Sequence, residues 1–285
     1  MKTILFALMS VYSLSSFARV IYGTDDRKDF FEVQDQLIQD QMESTATFTL
    51  RGLITPMSYG HFSVTQSLLG KSLNLCPGTT FEDQPSIGAC SATLVSPKHL
   101  LTAGHCMPDQ KRCEEIYLLF GFHNYKAGEY LQTAKGQDVY RCKKLLVRRQ
   151  DDQMDFALIE LDREVTDRRP VVLETETKVQ RGQTVRLIGY PDGIPSKVVS
   201  GGKVRSSANL KFVSNVDAFK GNSGSALFSE ASNKMVGVLF KGNLDYTYNN
   251  RRDCRELNVC KENDCRGEDA THVASIWPLI KQYLE

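Results

Sequence analysis

The residues able to do chemistry lie in three short stretches. Lys220-Gly221-Asn222-Ser223-Gly224-Ser225 sets a serine hydroxyl among glycines, and Leu100-Leu101-Thr102-Ala103-Gly104-His105-Cys106 ends an apolar run on an imidazole. Met154-Asp155-Phe156-Ala157-Leu158-Ile159-Glu160-Leu161 begins another apolar run on a carboxylate. A serine hydroxyl is a poor nucleophile near neutral pH. It needs an imidazole to take its proton, and the imidazole needs a buried carboxylate to fix its tautomer and stabilise its charged form. The chain supplies these parts in the order His105, Asp155, Ser223. Their joint chemistry would be attack on a carbonyl through a covalent acyl intermediate.

Each part has competitors. A Gly/Ser/Asn cluster between strands is by itself read as a turn. Gly221 and Gly224, however, let the chain take positive φ and turn tightly, so that the Ser223 hydroxyl stands clear. The same turn can aim the N–H groups of Gly221 and Ser223 at one point, as an oxyanion hole requires. Ser225 lacks this Gly-x-Ser-Gly setting. Of the five histidines (61, 99, 105, 123, 272), only His105 follows a strand-like run and a tight Ala-Gly turn. Asp155 directly precedes Phe-Ala-Leu-Ile and would be carried inward, whereas Asp151 and Asp152 lie in a polar Arg/Gln-rich loop.

Taken together, Thr-Ala-Gly-His-Cys, Asp-Phe-Ala-Leu-Ile and Gly-Asn-Ser-Gly-Ser resemble the three signatures of chymotrypsin-fold (trypsin-like) serine peptidases. Asn222 before the serine, Ile188-Gly189-Tyr190-Pro191 and the early Val20–Arg27 stretch are similar to the bacterial glutamyl-endopeptidase-like branch. The resemblance runs from about Val20 to the chain end. It implies an all-β fold of two perpendicular six-stranded barrels with the triad between them and a short C-terminal helix. It also implies peptide-bond hydrolysis, a polypeptide substrate and no cofactor. Asn222 is neutral and cannot form the ion pair with a newly released α-amino group that Asp makes in animal relatives. In the glutamyl branch the mature N-terminus instead lies near the substrate pocket.

Specificity departs from that branch. The position where Glu-cleaving enzymes place a histidine falls on Leu239, and their hydroxyl position falls on Ala218. An apolar pair leaves a buried carboxylate unsatisfied, at a cost of several kcal/mol. The expectation is therefore weak or no Glu preference and a lean toward apolar side chains, with Lys220 as a nearby cation. A protease-fold binding protein without turnover, or an esterase using the same triad, are the alternative readings. All three triad members are present, against the first, and the strand pattern lacks the α/β alternation of the usual esterase fold.

The chain has 285 residues, 24% of them charged, and net charge +1, which suggests neither a nucleic-acid partner nor an acidic substrate. Met1–Ala18 combines Lys2, a short apolar run and small residues at Ser16 and Ala18, which reads as a signal peptide. The run falls short of the ~20 apolar residues of a membrane span. A secreted or periplasmic monomer, beginning at Arg19 or Val20, is expected. Eight cysteines fit an oxidising compartment. By the resemblance, Cys90 pairs with Cys106 beside the histidine. Cys113–Cys142 is a second candidate, each residue bordering a strand-like run, and Cys76, Cys254, Cys260 and Cys265 stay unconnected. Reading Cys254, Cys260, Cys265 and His272 as a metal site is disfavoured, because zinc sites use tighter pairs; no metal is expected.

To position these residues the chain offers a polar, irregular segment 19–50 whose only strand-like pieces are Phe30–Val33 and Thr47–Leu50, a first barrel 51–162 carrying His105 and Asp155, and a second barrel 163–285 carrying Ser223. Strand-like runs occur at Ala89–Val95, Leu100–Thr102, Ile116–Phe122, Tyr140–Val147 and Phe156–Leu161. After the polar connector Asp162–Pro170 come Thr184–Tyr190, Val198–Val204, Leu210–Val216, Ala226–Phe228, Met235–Phe240 and Thr271–Ala274. Ile276–Leu284 shows helical apolar spacing.

Overall fold

A computed structural model describes residues 21–261 and 264–285. The segment read as a signal peptide, and both possible mature N-termini, lie outside the described residues.

Six strands close the first barrel: β1 (Thr45–Leu50), β2 (Ser91–Ser96), β3 (His99–Thr102), β4 (Ile116–Phe120), β5 (Val139–Gln150) and β6 (Asp155–Leu161), in the order β5-β6-β3-β2-β1-β4. The second is closed by β7 (Thr184–Gly189), β8 (Lys197–Ser207), β9 (Lys211–Ser214), β10 (Ala226–Ser229), β11 (Met235–Lys241) and β12 (Glu268–His272), in the order β7-β8-β9-β12-β11-β10. All these ladders are antiparallel. Side chains alternate across each strand, so one set fills the barrel interior. Ala46, Phe48, Leu94, Leu118, Phe120 and Ile159 fill the first barrel. Val185, Leu187, Phe212, Leu227, Val236 and Ala270 fill the second.

The opposite set welds the barrels together. Leu101, Phe156 and Leu158 of β3 and β6 share one buried cluster with Ile188, Phe228 and Val238 of β7, β10 and β11. The C-terminal helix α2 (Val273–Leu284) joins that cluster through Val273, Ile276 and Ile280. Strands buried on both faces read as nearly continuous apolar runs, which is why 156–161 and 235–240 stand out in the sequence.

Two boundaries differ from the sequence expectation. Thr45–Leu50 belongs to the first barrel, not to an irregular arm ending at residue 50. Its alternating threonines look solvated but are buried: Thr45 Oγ1 donates to the Gln41 carbonyl (2.9 Å) of α1 (Gln36–Glu43), and Thr47 Oγ1 to that of Cys90 (3.4 Å). The last strand begins at Glu268 and not at Thr271. Glu268 and Asp269 resemble a solvated turn, yet each is only 1% exposed.

Four disulfides are present: Cys76–Cys254, Cys90–Cys106, Cys113–Cys142 and Cys260–Cys265. They consume the sulfurs of the disfavoured metal reading. Between β11 and β12 an insertion forms the hairpin Tyr246–Asn249 with Cys254–Leu257. Cys76–Cys254 pins it to the first-barrel side, and Val259–Cys260 pairs in parallel with Ile21–Tyr22. No helix among the described residues is long and apolar enough to cross a membrane.

Candidate active site

His105 sits in the turn Gly104–Cys106 that follows β3. Only glycine fits at 104, since a Cβ there would stand 2.1 Å from the Arg149 carbonyl oxygen. Asp155 opens β6, whose ladder with β3 pairs Ala157 with Thr102. That register delivers the carboxylate beneath the imidazole. Asp155 Oδ2 lies 3.0 Å from His105 Nδ1, and Oδ1 accepts the His105 backbone N–H (3.1 Å) and that of Gly104. The Asp155 side chain is 6% exposed against 32% for His105. With Nδ1 donating to the carboxylate, Nε2 is left as the basic nitrogen toward solvent. From the second barrel, Thr271 Oγ1 accepts the Asp155 N–H at 3.0 Å, tying this residue across the barrel junction.

The serine turn is anchored by Ser91 of the first barrel. Its N–H donates to the Ser223 carbonyl (2.8 Å), and its hydroxyl donates to the Gly221 carbonyl (2.8 Å). Inside the turn the Asn222 N–H donates to Phe219 O (2.9 Å) and the Ser225 N–H to Asn222 O (2.8 Å). Gly221 and Gly224 take φ of +92° and +87°. Gly221 N and Ser223 N make no hydrogen bond among the described residues, so both of the expected oxyanion donors are uncommitted. Asn222 is buried, and its Oδ1 accepts the Ser225 hydroxyl at 3.1 Å. The amide oxygen is satisfied locally.

The two halves meet where Cys106 Sγ lies 3.6 Å from the Ser223 carbonyl oxygen. No hydrogen bond joins His105 to the Ser223 hydroxyl among the described residues; such bonds commonly tighten only with substrate in place. The Cys90–Cys106 bridge holds this corner of the first barrel.

Beside Ser223 lies a cavity of about 110 Å³. The three residues expected from the sequence, Ala218, Lys220 and Leu239, all line it. So do two carboxylates the sequence reading passed over, Glu268 and Asp245, and the wall is therefore not the purely apolar one inferred from Ala218 and Leu239. Burial pushes Glu268 up to about 8, reinforced by the Asp245 charge and only partly offset by the Tyr22 hydroxyl and Arg266. Burial and the Asp192 charge push Asp245 up to about 7. The missed signal was the Glu-Asp pair opening an alternating stretch before the last helix. Nothing local distinguishes it from a surface turn.

The family profile of the trypsin-like peptidase domain matches residues 90–238. Among solved structures, one of a Glu endopeptidase in complex with MPD is similar at a TM-score of 0.56 and 17% identity, over 93% of this chain and 98% of that one. An atomic-resolution structure of HBP is similar at 0.57 and 14%, over 93% and 96%. Human heparin binding protein is similar at 0.55 and 14%, over 92% and 96%. At such identities the likeness is one of fold. No curated protein matches the chain significantly.

Proposed function

Because this chain belongs to the trypsin-like peptidase family, we propose that it is an exported serine endopeptidase working through His105, Asp155 and Ser223. The observation that carries this reading is the His105–Asp155 contact at 3.0 Å beside a serine turn whose Gly221 and Ser223 N–H groups are uncommitted.

As Ser223 Oγ attacks the scissile carbonyl, His105 Nε2 takes its proton, and Asp155 stabilises the imidazolium. The carbonyl oxygen becomes an oxyanion received by the Gly221 and Ser223 N–H groups; in other hydrolases one such donor is worth about 10²–10³ in turnover. The imidazolium then gives its proton to the departing amine and the C–N bond breaks, leaving the acyl on Ser223. Water, deprotonated by His105, attacks that ester and restores the serine. The chemistry requires no cofactor. Four disulfides fit an oxidising location.

The test is fluorophosphonate labelling of the folded protein, with the adduct located by tandem mass spectrometry. Labelling at Ser223 that disappears in His105→Ala is the expected result. No labelling of folded protein would give the lead to the binding-protein reading. Ester turnover without peptide turnover would give it to the esterase.

A further inference from the structure

We propose that Asp245 and Tyr246, adjacent residues of the insertion between β11 and β12, are positioning residues for the reaction at Ser223. They hold the peptide group joining Lys220 to Gly221 so that the Gly221 N–H faces the carbonyl under attack. The inference rests on the peptidase reading above and adds to it a support that the triad does not contain.

A trans peptide group points its C=O and its N–H to opposite sides. The Lys220 carbonyl and the Gly221 N–H belong to one such group, so whatever holds the first aims the second. The Lys220 carbonyl accepts the Asp192 N–H from the turn after β7. The Lys220 N–H donates to Asp245 Oδ2 at 2.9 Å. Both backbone polar groups of Lys220 are thus tied down, and the Gly221 N–H is turned away from the 190–193 turn. Without these ties the group could rotate, because Gly221 has no Cβ to oppose it and takes φ of +92°. Rotation would put the Lys220 carbonyl oxygen, itself partly negative, where the oxyanion forms.

Asp192 needs support of its own. It takes φ of +50°, a left-handed conformation that a non-glycine residue keeps only where its neighbours hold it. Tyr246 donates its hydroxyl to Asp192 Oδ2 at 2.6 Å, and Ser86 Oγ donates to the Asp192 carbonyl at 2.6 Å. Burial and the Asp192 charge hold the Tyr246 phenol well above its usual value, so it stays a donor. The Tyr246 ring stands 5.9 Å from that of Phe219, the residue before Lys220. The insertion therefore grips one peptide group from two sides, Asp245 directly and Tyr246 through Asp192. It is itself fixed: the Asn258 N–H donates to the Asp245 carbonyl at 3.0 Å, and Cys76–Cys254 ties its hairpin down.

The experiment measures inhibition by a peptide aldehyde and by its matching primary alcohol, each ending in the residue that wild type cuts after best. Ser223 Oγ adds to the aldehyde carbon, its proton passes to His105, and the aldehyde oxygen becomes an oxyanion in the hole. The alcohol binds without that step, so the ratio of the two inhibition constants reads the hole and cancels losses in peptide binding. Asp245→Ala should weaken the aldehyde about tenfold relative to the alcohol, less than the roughly 10²–10³ that a deleted donor costs. Asp245→Asn keeps a carbonyl acceptor and should stay within about twofold of wild type. Tyr246→Phe keeps the ring, loses the hydroxyl, and should weaken the aldehyde about threefold relative to the alcohol. Tyr248 donates its hydroxyl to Asp253, away from the serine turn, and Tyr248→Phe should match wild type. Should Asp245→Ala fail to fold, Tyr246→Phe decides alone. An unmoved ratio in the folded variants, Asp245→Asn as impaired as Asp245→Ala, or a like shift in Tyr248→Phe overturns the positioning role. With Ser223 still labelled by the fluorophosphonate, the peptidase reading then stands. Absence of labelling in folded wild type overturns both.

Discussion

Asp155 gives the His105 ring its orientation, and that makes the pair sensitive to a single atom. Asparagine at 155 still offers a carbonyl to the Gly104 and His105 N–H groups, but it can turn its NH₂ toward Nδ1 and select the wrong tautomer. Asp155→Asn should therefore lower kcat by about 10⁴ with KM little changed, as steady-state kinetics on a peptide would show. Asn222 poses the converse case. Among the described residues its only side-chain partner is the Ser225 hydroxyl, so Asn222→Asp would bury an unpaired charge and cost several kcal/mol at pH 8. At pH 4 the new carboxyl is largely protonated and the loss should shrink. Urea unfolding at both pH values checks this, and an equal loss at each would mean the charge is not the cause. Gly224 is constrained by both space and φ: a Cβ would stand 2.1 Å from the Ser91 carbonyl.

Among the elements, the Cys90–Cys106 bridge joins the residue before β2 to the turn carrying His105, across a separation of 16 residues. Closing a loop of that size is worth about 3 kcal/mol in the chain-entropy model. The double variant Cys90→Ala/Cys106→Ala should lose about that much stability, measured by urea unfolding, and should label more slowly at Ser223 as the corner loosens. Normal labelling in a destabilised variant would confine the bridge to a stability role. The insertion between β11 and β12 is the other element of consequence. Held by Cys76–Cys254 and by the Ile21–Tyr22 pairing, it delivers Asp245, with Gly242 and Asn243, to the cavity beside Ser223.

For the molecule as a whole, the buried carboxylates set a pH dependence. Asp217 is pushed up to about 7 by burial, alongside Asp245 at about 7 and Glu268 at about 8. Around them stand Asp192, Lys220, Arg27, Arg266, Arg205 and the Tyr22 and Tyr246 hydroxyls. A carboxyl with a raised folded pKa binds more protons folded than unfolded, so stability falls as pH rises toward that pKa. His272 acts oppositely: burial lowers it to about 4, and stability rises with pH up to its unfolded value of 6.5. Above 6.5 the carboxylates dominate until Lys197, lowered by burial to about 8, begins to oppose them as pH nears that value. Tm should therefore fall from pH 6.5 to pH 8, and Glu268→Gln should flatten that fall. A Tm that rises over this range would contradict the assignment.

The sequence by itself put forward the residues able to do chemistry, whose roles the labelling test decides, and most of the strands. A serine in a Gly-flanked turn, a histidine after a tight turn and an aspartate heading an apolar run are local signals, each written in fewer than about ten neighbouring residues. Runs buried on both faces, such as 156–161 and 235–240, announced themselves for the same reason. Residues 47–50 looked strand-like, but the threonines at 45 and 47 hid that the strand belongs to a barrel, since a hydroxyl satisfied by a backbone carbonyl is as buried as a methyl but does not look it. The partners of Cys76 and Cys260, the convergence of Glu268 and Asp245 on one cavity, and the Tyr22–Glu268 hydrogen bond were decided only by tertiary structure. Cys76 and Cys254 are 178 residues apart, and Tyr22 and Glu268 are 246 apart. Whether a carboxylate is solvated or walled into a pocket depends on which distant strands close around it, and no local pattern of residue types carries that information.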